Sequence, residues 1–199
     1  KGVNAVKKMR NLLAALEDYV PEEQPELGKG IMELTDIISA PYPGASVVPS
    51  LCRATFDRRT LVGEDEAVIL GQVNEAIARA QETHPGLKAR CYLAEGEEKC
   101  WTGDTIRAKR YFPAWVVDED SELVQGAMKG LKDAGIEAKL SHFAFCTNGS
   151  SFCGEAGIPC IGYGPSLESL AHVRDEYIEI DQLTKACKGF ECILAQLTK

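Results

Sequence analysis

Three groups of residues have types and spacings that could carry chemistry. Asp57, Arg58 and Arg59 stand in a row, with Gly63-Glu64 a few residues on. A planar guanidinium donates two parallel hydrogen bonds to a carboxylate. The cluster therefore reads either as a clamp for an anionic substrate or as two surface arginines paired with acids. Thr147-Asn148-Gly149-Ser150-Ser151 gathers short polar residues around a glycine. Such a run can turn backbone N–H groups toward an anion, and it can equally be an ordinary turn. His172 lies in AHVRDE, shortly after IPCIGYGP. A histidine beyond the carboxyl end of an α/β strand is well placed for a site, although a solitary histidine is more often a structural hydrogen-bonder.

The other two histidines are less telling. His84 precedes Pro85 and reads as surface, and His142 reads as a strand residue or a substrate contact. No HExxH or HxD motif occurs. Three scattered histidines do not make a two-metal site, which also needs carboxylates bridging ions about 3.5–4 Å apart. Among the eight cysteines, Cys146, Cys153 and Cys160 are spaced seven apart. No CxxC pair occurs, so a zinc knuckle has little support, and small buried hydrophobes are the better reading.

The elements that must position these residues follow from periodicity and breakers. Val3, Val6, Met9, Leu12, Leu13 and Leu16 fall on one face of a helix over Asn4–Tyr19, which Pro21 and Pro25 end. Gly30–Ser39 alternates as a half-buried strand, and Ser46–Arg58 reads as a second strand pair or as one long strand interrupted at Pro49. Glu64, Asp65 and Glu66 open a helix that runs to Thr83, with Ala67, Leu70, Val73, Ile77 and Ala80 on one side. Leu87–Leu93 and Thr105–Tyr111 complete the order helix, strand, strand, helix, strand, strand. A four-stranded antiparallel sheet with two helices on one face, as in a ferredoxin-like unit, satisfies that order.

After Phe112-Pro113-Ala114-Trp115 the pattern changes. A helix over Asp120–Ala134 precedes short strands at Glu137–Leu140 and His142–Cys146 and a buried strand at Ile158–Tyr163. A last helix, Asp181–Leu197, turns Leu183, Ala186, Phe190, Ile193, Leu194 and Leu197 inward. These elements are too few to cover both faces of a parallel sheet, so residues 111–199 look like a piece of a larger layer.

Composition narrows the function class. Residues 1–110 carry 15 basic and 17 acidic side chains, and residues 111–199 carry 7 and 13, which together make the net charge of −8. Nucleic-acid binders cluster basic residues on one face, and no such cluster is present. No apolar run approaches the roughly 20 residues that span a bilayer. The charged start has no signal-peptide stretch, so the expectation is a cytoplasmic protein with reduced thiols and no membrane partner.

The order SVVPSLCRATFDRRTLVGED, YFPAWVV, FCTNGSSF and GIPCIGYGPSLESLAHVRDEYIEIDQL resembles the second half of the zinc-dependent peptidase and deacylase family. That family includes acetylornithine deacetylase, succinyl-diaminopimelate desuccinylase and carboxypeptidase G. The YFPAW and TNG elements look most like its selenium-metabolism hydrolase branch. The resemblance runs from GVNAVKKM to the last helix. It implies an α/β fold in which 1–111 form an α+β lid that dimerises and 112–199 return to the catalytic domain. It further implies His172 as a zinc ligand, Arg59 as a lid arginine on the substrate, and Gly149 with neighbouring Asn148 as substrate contacts. The parent would be a homodimer with two zinc ions, or cobalt or manganese in their place, hydrolysing small-molecule or peptide amides that bear a carboxylate. Attack would come from a metal-bound water whose proton a glutamate moves.

The family's first histidine, bridging aspartate and catalytic glutamate belong to an amino-terminal part outside these residues. Its lid histidine is expected just before Lys1. Ser46 stands where many members carry asparagine, and Val173-Arg174 stands where a proline often precedes the acid. The expectation is that this chain alone is inactive. The alternative is a dimerisation or ligand-binding module without catalysis.

Overall fold

The computed structural model describes residues 2–199. The chain divides into two compact regions, Lys1–Ala114 and Trp115–Lys199.

In the first region, helix α1 (Ala5–Glu17) starts where the Asn4 side chain accepts a hydrogen bond from the Lys7 amide at 3.0 Å. Its inward residues are Leu12 and Leu16, while Val3 and Val6 at its start are exposed. A small hairpin of β1 (Glu23–Gln24) and β2 (Gly28–Lys29) follows, turning at Gly28 with φ +72°. Then β3 (Ile31–Ala40) pairs antiparallel with β4 (Leu51–Arg59), from Ile31 opposite Arg59 to Ala40 opposite Leu51. The register shifts between Leu34 and Asp36, a bulge that leaves Thr35 to bond the Thr55 carbonyl through its hydroxyl.

Strand β4 alternates strictly along its length. Cys52, Ala54, Phe56 and Arg58 are half-buried, and Leu51, Arg53, Thr55, Asp57 and Arg59 are exposed. Helix α2 (Glu66–Thr83) begins at Asp65, whose carboxylate accepts from the Val68 amide at 2.8 Å. It buries Ile69, Ala76, Ile77 and Ala80. The expected face holds at Ile77 and Ala80 but not at Ala67, which is exposed one turn before the packed stretch begins. Leu12, Leu16, Ala76, Ile77, Ala80 and Leu87 form the core, against which Met32 and Phe56 pack.

The third antiparallel pair, β5 (Glu95–Lys99) with β6 (Thr105–Lys109), is nearly all exposed. Leu87–Leu93 does not form the expected strand: Leu87 is drawn into the core, and pairing begins at Glu95. There opposite charges face each other across the ladder, with Glu97 to Arg107 at 3.0 Å. Among the described residues no ladder joins β5–β6 to β3–β4. The class is thus mixed helix with small antiparallel sheets.

In the second region, α3 (Glu122–Asp133) is capped by Ser121 and ends in a Schellman turn. Gly135, at φ +73°, donates to the Lys132 carbonyl, and Ile136 donates to the Leu131 carbonyl at 2.9 Å. Helix α4 (Ile180–Leu197) packs on α3 so closely that a Cβ on Gly130 would lie 2.7 Å from the backbone of Ile193. Ala127, Leu131 and Ile193 form the small core, with Ile161 and Tyr163 against it.

Ala186 and Ile193 face inward as expected, whereas Leu183, Phe190, Leu194 and Leu197 are exposed. The segments Glu137–Leu140, His142–Cys146 and Ile158–Tyr163 carry no ladder among the described residues, and Ile158 is 56% exposed rather than buried. Apolar strand sequences of this kind pair only where neighbours flank them and helices cover both faces.

Candidate functional site

The alternation of β4 separates two adjacent arginines that the sequence leaves equivalent. Arg58 falls in the inward row with Phe56 and Ala54, where a charge requires partners. It has them: one guanidinium nitrogen, Nη2, donates to Glu64 Oε1, to Gln72 Oε1 and to the Tyr19 hydroxyl. The guanidinium also sits over the Tyr19 ring, 5.4 Å from its centroid. Glu64 in turn accepts from the Leu61 amide at 2.9 Å, and its carbonyl accepts from the Tyr111 hydroxyl. Arg58 is thus the member of the pair held inward, by Glu64, Gln72 and Tyr19, and it fixes the carboxyl end of β4. Arg58 Nη1 is buried without a hydrogen bond among the described residues.

Arg59 leaves the opposite face beside Asp57, two residues back on the same side of the pleat, at 2.9 Å. Both side chains are nearly half exposed. An exposed pair of this kind holds loosely, so the guanidinium can exchange Asp57 for another carboxylate. Tyr19 and Gln72 were not read from the sequence as part of this cluster. The signal that could have found them is Arg58 itself, a charge in an otherwise apolar row.

The Trp115–Lys199 region contains a groove of about 670 Å³ lined by Trp115, Phe143, Phe145, Asn148, Gly149 and Tyr163, among others. Phe143 and Phe145 stack on one another at 4.9 Å. Gly149 lies against the Trp115 ring, so closely that any side chain would collide with it. That contact explains a glycine at this position without appeal to its conformation. The loop does not aim its amides outward. Gly149 donates to the Thr147 hydroxyl at 3.1 Å, Ser150 to the Thr147 carbonyl, and Ser151 and Phe152 to the Asn148 carbonyl. An anion-facing row of N–H groups is therefore replaced by a self-bonded turn, and the exposed Asn148 side chain is left as its polar group at the groove. Burial pushes the Tyr163 hydroxyl above its ordinary pKa.

His172 is exposed and lies outside the residues that line the groove, although Ala171 and Glu176 line it. Its backbone is in the left-handed region at φ 60°, and its amide donates to Glu176 Oε2 at 3.0 Å. Asp175 is left-handed as well, at φ 58°. Two such residues so close together cost energy that the surrounding turn must offset. Among the described residues no three histidine, cysteine or acidic side chains converge as a metal cage. A single imidazole does not hold a zinc ion, whose sites take three or four protein ligands. His84 bonds the Thr83 hydroxyl at 2.8 Å, as a surface residue would, and His142 is exposed. No described helix is long and apolar enough to cross a membrane.

Comparison with known proteins places these features in context. A model of peptidase family M20/M25/M40 matches residues 12–196. The uncharacterized protein YgeY of Escherichia coli (strain K12) is 30% identical over 179 residues, which cover 88% of this chain and 43% of that protein. The N-formyl-4-amino-5-aminomethyl-2-methylpyrimidine deformylase of Halalkalibacterium halodurans is 24% identical over 195 residues, covering 94% of this chain and 44% of its own length. The chain spans less than half the length of these curated relatives.

Proposed function

Because the chain belongs to peptidase family M20/M25/M40, we propose that it forms the lid and the returning catalytic segment of a metal-dependent amide hydrolase. The observation that carries this reading is the family match, which runs through both regions. In it, residues 1–111 are the lid, with β3–β4 and β5–β6 belonging to one ferredoxin-like layer, and residues 112–199 complete an α/β catalytic domain.

Arg59 binds a substrate carboxylate by exchanging its loose Asp57 partner, which favours small amides with a free carboxylate. Asn148 and the Gly149 backbone contact the substrate at the groove. With the Gly149 amide already bonded to Thr147, that contact runs through its carbonyl. His172 supplies one ligand to a zinc pair, with cobalt or manganese as substitutes, and the remaining ligands come from the rest of the protein. The deformylase among the relatives acts on an N-formyl amine, which is consistent with hydrolysis of a small amide. The lid pairs across a two-fold axis in a cytoplasmic homodimer.

Elemental analysis of this chain, and of the protein extended by its amino-terminal catalytic part, tests the reading. Two zinc ions on the extended protein and none here are expected. Amidase activity from these 199 residues with added zinc would overturn the division of the site. Absence of metal from both would instead favour a binding or dimerisation module with the family's fold. An Arg59→Ala variant of the extended enzyme should lose affinity for carboxylate-bearing amides, and unchanged kinetics would remove the basis for that substrate class.

A further inference from the structure

Three rings at the groove of the second region rest on glycines. A Cβ on Gly149 would collide with the Trp115 ring, one on Gly162 with the Phe143 ring, and one on Gly189 with the Tyr163 ring. Without side chains, these positions let the backbone approach each ring closely and hold it in place. Two further rings continue the wall. Phe145 stacks on Phe143 at 4.9 Å with 19° between the planes, and Phe190 meets Tyr163 edge-on. Phe143, Phe145 and Phe190 remain exposed, so the wall is open to a guest. The groove volume, about 670 Å³, falls within the range of small-molecule sites.

The formal charge of the lining has one sign. Among the described residues it includes two carboxylates, Glu168 and Glu176, and no lysine, arginine or histidine. A backbone amide anchors each carboxylate. Glu168 Oε1 accepts from Ala144 at 2.8 Å, and Glu176 Oε2 accepts from His172 at 3.0 Å. The other oxygen of each takes no hydrogen bond among the described residues. Aromatic faces are themselves negative and attract cations. Rings and carboxylates therefore favour the same kind of guest.

We propose that this groove binds a planar aromatic group that carries a positive charge. Its ring lies against the aromatic wall, and its N–H donors reach the free oxygens of Glu168 and Glu176. An aliphatic cation would forgo the ring contacts, and an aromatic anion would meet like charge. The binding itself stands on the groove alone. Only the identification of the guest as part of an amide substrate rests on the hydrolase reading, and it adds a cationic ring to the carboxylate assigned to Arg59.

The test titrates three probes into the 199-residue chain, followed by proton–nitrogen NMR. Benzamidinium has ring and charge, acetamidinium has the same charged head without the ring, and benzoate has the ring with the opposite charge. Benzamidinium should shift the Trp115 indole N–H and the Gly149 and Gly162 amides saturably. It should bind at least about fivefold more tightly than either other probe. No saturable shift at these three groups would overturn the site, and equal affinity for acetamidinium or for benzoate would overturn the aromatic or the cationic half of the proposal.

Two variants localise the effect. Glu168→Gln with Glu176→Gln keeps an acceptor for Ala144 and His172, and it should abolish the preference for benzamidinium over benzoate. Phe145→Leu changes an exposed ring and should weaken benzamidinium about fivefold. A preference that survives the first variant, or an affinity unchanged in the second, would count against the residues named. Because the titration needs neither metal nor hydrolysis, it fails separately from the hydrolase reading. Two zinc ions on the extended protein without benzamidinium binding here would keep that reading and reject this site, and the reverse result would keep the site and reject the reading.

Discussion

The two regions of this chain solve the same burial problem with different success. In Lys1–Ala114, helices α1 and α2 and the inner row of β4 close on one core, and the charge caught in that row is neutralised by Glu64. In Trp115–Lys199, α3 and α4 close on each other through glycines. Phe143, Phe145, Phe152, Ile158 and Leu183 nevertheless remain exposed, and three strand-like segments have no ladder. The difference lies in sequence pattern. The β3–β4 pair forms its ladder even with Ile31, Ile37, Ile38 and Leu51 exposed on it, whereas the apolar runs of the second region need further strands and a second helical layer.

The largest effect that would sharpen this contrast comes from Glu64→Gln. It leaves Arg58 as a buried charge without its counter-ion, and loss of one member of such a pair typically costs about 3–5 kcal/mol. Native-state hydrogen exchange should show the loss in α1, α2, β3 and β4. A loss below about 1 kcal/mol would mean that water reaches Arg58 and that the first region is less closed than described.

Gly130→Ala tests the second region. The added methyl meets the backbone of Cys192 and Ile193, and overpacking of this kind costs about 1–3 kcal/mol. Faster exchange in α3 and α4 is expected. A neutral result would show that the helix pair can part without penalty.

A smaller effect should follow pH. Burial raises the Tyr163 hydroxyl pKa from 10.0, so above pH 10 the folded second region binds more protons than its unfolded form. Its stability should therefore fall as the pH rises past 10. A Tyr163→Phe variant should lose that dependence, and a slope identical to that of the unsubstituted chain would rule out Tyr163 as its source.

The smallest effect is expected from Arg59→Ala. An exposed pair contributes little, so stability should stay within about 0.5 kcal/mol. A larger loss on urea denaturation would make Arg59 a structural residue like Arg58, and the contrast between the two faces of β4 would disappear.

Much of the local structure was legible in the residue order. The periodicities of Leu12–Leu16 and Ile77–Ala80 are short-range properties, whereas the half-buried alternation expected of Gly30–Ser39 is lost in an exposed run from Glu33 to Ile38. The helical periodicities follow from helix geometry over a few residues. The family signature, from DRR to AHVRDE, was readable in the same way and agrees with the match over residues 12–196.

Tertiary structure alone decided which arginine faces Glu64 and which faces solvent. The pleat guarantees that neighbours point oppositely, but only packing against α1 and α2 sets the phase. It also decided that pairing starts at Glu95 rather than Leu87, because Leu87 gains more from the core than from a ladder. The turning of the Gly149 loop onto its own hydroxyl and carbonyl acceptors was settled by closure of that turn. Such contacts depend on where the whole backbone returns, which no local spacing specifies.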